Sequence, residues 1–288
     1  IKIINISFFV VIIRKIVSIK ANLMCPICGS STSYKLTTNK FNYEIFSCEN
    51  LNCSHFFYPD FYPGQGVDQR EEEVSKESDE MLSVFLERNN RLLKFLLKYL
   101  KSKKAYTFLD FGSGVAHISR TFKKTLGDSV EIFCFEPNKK LKGFYDKFSL
   151  NQIYEIDKVE KSYDLIYMIE VMEHLDNPKE TLEKLSQVMD AHTKLFITTP
   201  RAEVDSDGHC YENPSHIHFF THNSLNILLD SVNLKKMKYM YVPEMYPLDV
   251  KKYQKEKLKS LLVNTFLFFG INLDYRFKNH LVGFTELK

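Results

Sequence analysis

From residue 107 onward, short apolar runs alternate with amphipathic stretches. Thr107–Phe111, Val130–Phe135, Gln152–Ile156, Tyr163–Ile169, Lys194–Thr198, Lys236–Val242 and Leu281–Glu286 have the length and apolar content of strands. Ala116–Leu126 and Pro178–Met189 have the spacing of helices between them. This alternation predicts an α/β fold: a seven-stranded, mostly parallel sheet with flanking helices and ligands at the carboxyl ends of its strands. Upstream, Met81, Val84, Phe85, Leu92, Leu93, Phe95, Leu96 and Leu100 recur at 3–4 spacing and predict a helix over Glu71–Lys104. Its acidic start and basic end suit the helix dipole. Such a helix covers the sheet or closes over a ligand. Lys251–Leu273 reads as a helix inserted before the last strand.

The first part of the chain follows a different pattern. Cys25-Pro-Ile-Cys28 and Cys48-Glu-Asn-Leu-Asn-Cys53 are two knuckles, and Tyr43, Ile45 and Ser47 alternate between them as in a hairpin. Two close thiolate pairs on turns predict one tetrahedral four-sulfur site, which suits structural zinc. His55 is a candidate substitute ligand. A ribbon this small has little core of its own, so the metal would supply its stability. The domains expected are an upstream segment at 1–23, a small zinc ribbon at 24–63, a linker and covering helix at 64–104, and the α/β domain at 105–288. Tyr58–Gln69, with Pro59, Pro63, Gly64 and Gly66, reads as linker sequence across the boundary between ribbon and covering helix. Met24, directly before Cys25, reads as the translation start.

Composition narrows the picture slightly. Of 288 residues, 44% are hydrophobic and 26% charged, ordinary for a globular chain. A net charge of +3 does not argue for a nucleic-acid partner. The apolar run Phe8–Ile13 is too short to span a bilayer, so no transmembrane segment is expected. Clustered cysteines imply a reducing compartment, hence a cytoplasmic location.

Two stretches carry the chemistry. Thr107-Phe-Leu-Asp-Phe-Gly-Ser-Gly114 is an apolar strand that breaks into glycines, which lets backbone N–H groups approach a ligand. Val130–Phe135 ends on Glu136, a carboxylate placed to accept from two ribose hydroxyls. The second stretch is Tyr163-Asp-Leu-Ile-Tyr-Met-Ile-Glu-Val-Met-Glu-His174. Glu170, Glu173 and His174 share one face if a helical turn begins at Glu170. Two carboxylates and an imidazole at the end of a strand can bind a divalent ion or act as a general base. His216 and His218, in a loop after the fifth strand, belong to the same end of the sheet.

Leu109-Asp-Phe-Gly-Ser-Gly114, Glu136-Pro137, Tyr163-Asp-Leu-Ile166, Glu170-Val-Met-Glu-His174, Thr199-Pro200 and His216-Ile-His-Phe-Phe220 resemble the class I S-adenosylmethionine (SAM) methyltransferases, in particular the ubiquinone-biosynthesis O-methyltransferases. The resemblance covers roughly residues 105–288, and members with an amino-terminal four-cysteine ribbon are similar over the whole chain. It implies a Rossmann-like fold in which Asp110, Phe111, Gly112, Ser113 and Gly114 shape the cofactor pocket. Glu136 would bind the ribose and Asp157 the adenine edge, with Pro137 and Glu170 as further cofactor-binding candidates. Similarity to metal-dependent O-methyltransferases further implies a magnesium-like ion on Glu170, Glu173, His174 and His216, with His218 as the alternative fourth ligand. Without a metal, His174 and His216 are the candidate bases. The implied activity is methyl transfer to a small-molecule or sugar-type acceptor at oxygen. Sugar C-methylation and RNA methylation are the alternatives.

Overall fold

The computed structural model describes residues 23–38, 42–59, 79–159, 162–202, 211, 213, 215–243, 250–268 and 280–288. Residues 60–78, which hold most of the expected linker and the start of the expected Glu71–Lys104 helix, lie outside these residues. Three short strands open the described chain: β1 (Thr32–Thr37), β2 (Glu44–Cys48) and β3 (Phe56–Phe57). Helix α1 (Asp79–Leu97) follows, then β4 (Tyr106–Phe111), α2 (His117–Leu126), β5 (Val130–Phe135), α3 (Lys142–Lys147) and β6 (Asn151–Ile153). The remainder comprises β7 (Leu165–Ile169), α4 (Pro178–Gln187), β8 (Lys194–Pro200), β9 (His218–Phe219), α5 (His222–Ser231), β10 (Lys238–Tyr239), α6 (Val250–Phe268) and β11 (His280–Thr285).

Seven strands form one sheet in the order β10-β11-β8-β7-β4-β5-β6. The run β8-β7-β4-β5-β6 is parallel, and β11 lies antiparallel to both β8 and β10. The order reverses at β4, so its carboxyl end opens at the switch point where ligands bind in such sheets. Strand alternation splits the core. Leu109, Phe111, Ile166, Met168, Leu195 and Ile197 pack with Leu182 and Leu185 of α4 and Leu225, Leu228 and Leu229 of α5. On the other face, Phe108, Ile132, Leu165, Tyr167 and Phe196 meet Leu92, Leu93 and Leu96 of α1 and Phe122 of α2. The central strands are buried on both sides, which explains their nearly unbroken apolar sequence.

Local chemistry sets the element ends. Asn177 caps α4 by accepting from Glu180 N at 3.1 Å, with Pro178 in the first turn. Thr221 and Ser224 form a reciprocal capping box on α5. The strand expected over Lys236–Val242 is cut to β10. The reason is Asn264 of α6, which takes the backbone of Tyr241 in both directions: Tyr241 N donates to Asn264 Oδ1 at 2.8 Å, and Asn264 Nδ2 donates to Tyr241 O at 3.1 Å.

The ribbon is joined to the α/β unit through a second sheet, β1-β2-β3-β9, whose last strand comes from the α/β domain. Phe56 pairs with Phe219 and Phe57 with His218, antiparallel. Cys25, Ile27, Cys48 and Cys53 belong to the same apolar cluster as α4 and α5. No helix among the described residues is long and apolar enough to cross a membrane.

Candidate active site

The loop from β4 to α2 is built by positive φ angles at Gly112 (74°), Gly114 (53°) and Ala116 (53°). The two glycines serve different needs. A Cβ on Gly112 would stand 2.7 Å from Val171 Cγ2, so this glycine lets the loop nest against the turn after β7. A Cβ on Gly114 would meet nothing within 4 Å, so Gly114 lies beside open space. Gly112 N and Ser113 N donate to Phe135 O at 2.9 and 3.1 Å, tying the loop to the end of β5. Ser113 Oγ contacts Tyr145 Oη at 2.7 Å, and Tyr145 Oη donates to Gly114 O. Helix α2 starts without a side-chain cap, so its first N–H groups have no side-chain acceptor at the loop.

Glu136 is buried and locks this arrangement. Its Oε2 accepts from Gly114 N at 3.0 Å and its Oε1 from Asn138 N at 2.9 Å. Each oxygen keeps a further lone pair for a ligand hydroxyl. Asp110 lies deeper, with Oδ2 accepting from Ser119 Oγ at 2.6 Å, and Ser119 Oγ contacts Tyr167 Oη at 2.6 Å. Burial pushes the Asp110 carboxyl up to about 7, against the lowering effect of those hydroxyls. The Phe111 ring stacks on Phe135 at 4.3 Å, inside the core. Pro137 is exposed, and Asp157 lies at the surface 3.1 Å from Lys184 Nζ of α4.

The turn after β7 differs from the expected helical face. Glu170 has φ 56°, which breaks the chain direction between β7 and a 3₁₀ turn at Met172–His174. Glu170 therefore points away from its two expected partners. Its Oε1 accepts from Thr198 Oγ1 at 2.7 Å, and its Oε2 lies 3.0 Å from His280 Nε2 of β11. Burial pushes the Glu170 carboxyl up, but His280 and Thr198 outweigh it and hold the group below its ordinary value. His280 carries no motif around it, so no sequence signal could have singled it out.

Glu173, His174 and His216 do come together, with ligand atoms within 4.8 Å of one another. Glu173 is 1% exposed. Its Oε2 accepts from Thr199 Oγ1 at 2.8 Å, while Oε1 lies 3.6 Å from His174 Nε2 and 4.0 Å from His216 Nε2. His174 Nδ1 donates to Ser215 O at 2.7 Å, which leaves the Nε2 lone pair facing Glu173. Asn213 orients His216. Its Oδ1 accepts from Ser215 N and Oγ, so its Nδ2 donates to His216 Nε2 at 2.9 Å. Two imidazoles and one carboxylate suit a transition metal better than magnesium, which prefers oxygen donors.

His218 does not join this group. Its Nδ1 lies 3.1 Å from His55 Nε2, in the buried seam between ribbon and α/β unit, because β3–β9 pairing commits it there. His55 Nδ1 contacts Ser224 Oγ at 3.4 Å, so His55 is also turned away from the cysteines. Burial lowers both imidazoles, His218 to about 4, and keeps them neutral.

The four cysteines converge with Sγ atoms 3.9 Å apart for Cys25–Cys53 and 3.4 Å for Cys28–Cys48. A tetrahedral zinc with bonds near 2.3 Å has sulfurs about 3.8 Å apart, so the donor set and spacing fit zinc. The Cys53 thiol holds Cys25 down to about 5, and the Cys48 thiol is pushed up to about 12 by burial.

A family model described as a methyltransferase domain matches residues 83–239. No curated protein matches the chain. Solved structures do. The complex of the Haloferax volcanii Trm112 methyltransferase activator and a methyltransferase is similar at a TM-score of 0.53 and 12% identity, over 76% of this chain and 97% of that one. The plantazolicin methyltransferase BpumL in complex with SAH is similar at a TM-score of 0.50 and 15% identity, over 78% and 91% of the two chains.

Proposed function

The chain belongs to the methyltransferase-domain family, and on that premise we propose that it moves a methyl group from SAM to a hydroxyl of a small-molecule or sugar-type acceptor. In this reading SAM lies across the glycine loop beside Gly114. Glu136 accepts from the ribose hydroxyls, and the uncapped start of α2 faces the methionine carboxylate. SAM supplies an activated methyl: the carbon–sulfur bond breaks and its electron pair returns to sulfur, leaving neutral SAH. What the chain must supply is alignment and a destination for the acceptor's proton.

The observation that carries the acceptor side is the buried Glu173 carboxylate between two imidazoles. With Nδ1 held by Ser215 O, His174 offers Nε2 to the hydroxyl proton. Glu173 Oε1 then balances the imidazolium that forms. The same three residues would hold a divalent ion if one is used, with His216 Nε2 giving up the Asn213 hydrogen bond for it, and the ion would lower the hydroxyl pKa instead.

The test uses methyl-labelled SAM with a panel of catechols, phenols and hydroxylated sugars, and SAM calorimetry on the same samples. His174→Gln should cut transfer by about 10²–10⁴-fold, the usual worth of a general base, with SAM affinity unchanged. Chelator should leave transfer intact. Loss of transfer in chelator, restored by manganese, would replace the base by a metal. Equal transfer by wild type and His174→Gln would end both readings.

A further inference from the structure

We propose that the four-cysteine ribbon is a positioning element of the methyl-transfer site, holding His216 against Glu173 through β3 and β9. The inference rests on the acceptor-side role of Glu173, His174 and His216 given above, and assigns the ribbon a task within it.

The connection is short and made of backbone. Tyr58 N, just past β3, donates to Ile217 O at 3.0 Å. On the other side of the same residue, Ile217 N donates to Glu173 O at 2.9 Å. Ile217 is thus bridged between the ribbon and the turn that carries Glu173 and His174. His216 is the preceding residue, and its ring lies edge-on to that of His174 with centroids 4.8 Å apart. A shift of β3 therefore reaches His216 through one peptide unit.

The metal knuckles hold β3 and β9 just as directly. Cys48 N donates to His55 O at 2.8 Å, immediately before β3. Thr221 Oγ1, the cap of α5 immediately after β9, donates to Cys53 O at 3.0 Å. Between these anchors, His55 and His218 meet in a fully buried seam. The ribbon's own strands are short, and the apolar group around Ile45 is completed by Ala202, Tyr211 and Phe219 of the α/β unit. β3 is thus held between β2, which ends on Cys48, and β9. This is the arrangement expected of a clamp on the segment 215–221, not of a separate module tethered nearby.

Two variants test the clamp. Cys48→Ser should lose the bound zinc. Tyr58→Pro keeps all four cysteines and removes the N–H that bonds Ile217 O together with the ring stacked on Tyr43; Tyr58→Ala, which loses the ring but keeps the N–H, is its control, and the pair stays informative if the first variant folds poorly. Hydrogen exchange is followed in the peptide covering 215–221, with SAM calorimetry and histidine-selective NMR on the same full-length samples. Both variants should exchange about ten- to a hundredfold faster in that peptide, the factor that one or two backbone hydrogen bonds are worth. The ring resonances of His216 and His174 should shift, and SAM affinity should stay within about twofold, because the glycine loop is on other elements. A merely structural ribbon would lower overall stability without moving those two rings. Unchanged exchange and unmoved His216 resonances in Tyr58→Pro would overturn the proposal. Failure of wild type to bind SAM would instead strike the methyltransferase reading, since the exchange result needs no cofactor.

Discussion

Replacing Glu136 by Ala removes one carboxylate with two jobs. In the free protein it accepts from Gly114 N and Asn138 N at 3.0 and 2.9 Å. Hydrogen bonds to a charged acceptor contribute about 1.5–3 kcal/mol each. Asn138 is buried and would leave its N–H unsatisfied, whereas Gly114 borders open space and can be rehydrated. The expected stability loss is therefore nearer one such bond than two, about 2–3 kcal/mol. On the proposed reading, the ribose hydroxyls of SAM lose the same charged acceptor, so SAM affinity should fall by about 1–3 kcal/mol, or roughly 5- to 150-fold. Glu136→Gln separates the two roles. It keeps the shape, but an amide NH₂ must face one of the two N–H donors. Denaturant melts give the first quantity and SAM calorimetry the second. A folded Glu136→Ala protein that binds SAM within twofold of wild type would refute the ribose assignment.

The two glycines should respond differently. Gly112→Ala must displace Val171 next to Glu170, so it should cost about 1–3 kcal/mol and depress transfer even at saturating SAM; Gly114→Ala should fold more readily but bind SAM more weakly, as calorimetry would show. Asp110 predicts a pH dependence. Its folded value near 7 lies above the ordinary carboxylate value, so the stability it supports is full below about pH 4 and is lost as pH rises to about 7. Thermal melts of Asp110→Asn should be flatter across that window, and an identical slope in both proteins would remove Asp110 as the cause. Metal analysis of freshly reduced protein should return about one zinc per chain, lost in Cys53→Ser; zinc-free wild type with a folded ribbon would contradict the assignment.

Strong local patterns were legible and distant pairings were not. Val130–Phe135 is a strand in sequence and in structure because its apolar run ends where Glu136 turns to the glycine loop. The cysteine knuckles and the Gly112–Gly114 break were legible for the same reason, since their chemistry is contained within a few residues. His280 was invisible because its partner Glu170 lies far along the chain and meets it only through the β8–β11 pairing. Glu170, Glu173 and His174 looked like one helical face, but spacing cannot reveal a positive φ at the first of them. His216 and His218 stand two residues apart in one motif, and the sequence could offer His218 only as the alternative to His216. Two residues of strand pairing send one to the ribbon seam and leave the other beside Glu173.

The seam between β3 and β9 also sets an order of events during folding. His55 and His218 are 163 residues apart along the chain, so their contact closes a very long loop. Closure of that kind is slow and is rewarded only when both ends already have shape. The hairpin β1–β2 and the cysteine knuckles are local and can form early, as can the β4–α2–β5 unit. The ribbon sheet cannot gain its fourth strand until residues beyond 217 have left the ribosome and β8 is in place. Until then the edge of β3 is an open strand carrying Phe56 and Phe57, exposed to pairing with a neighbour.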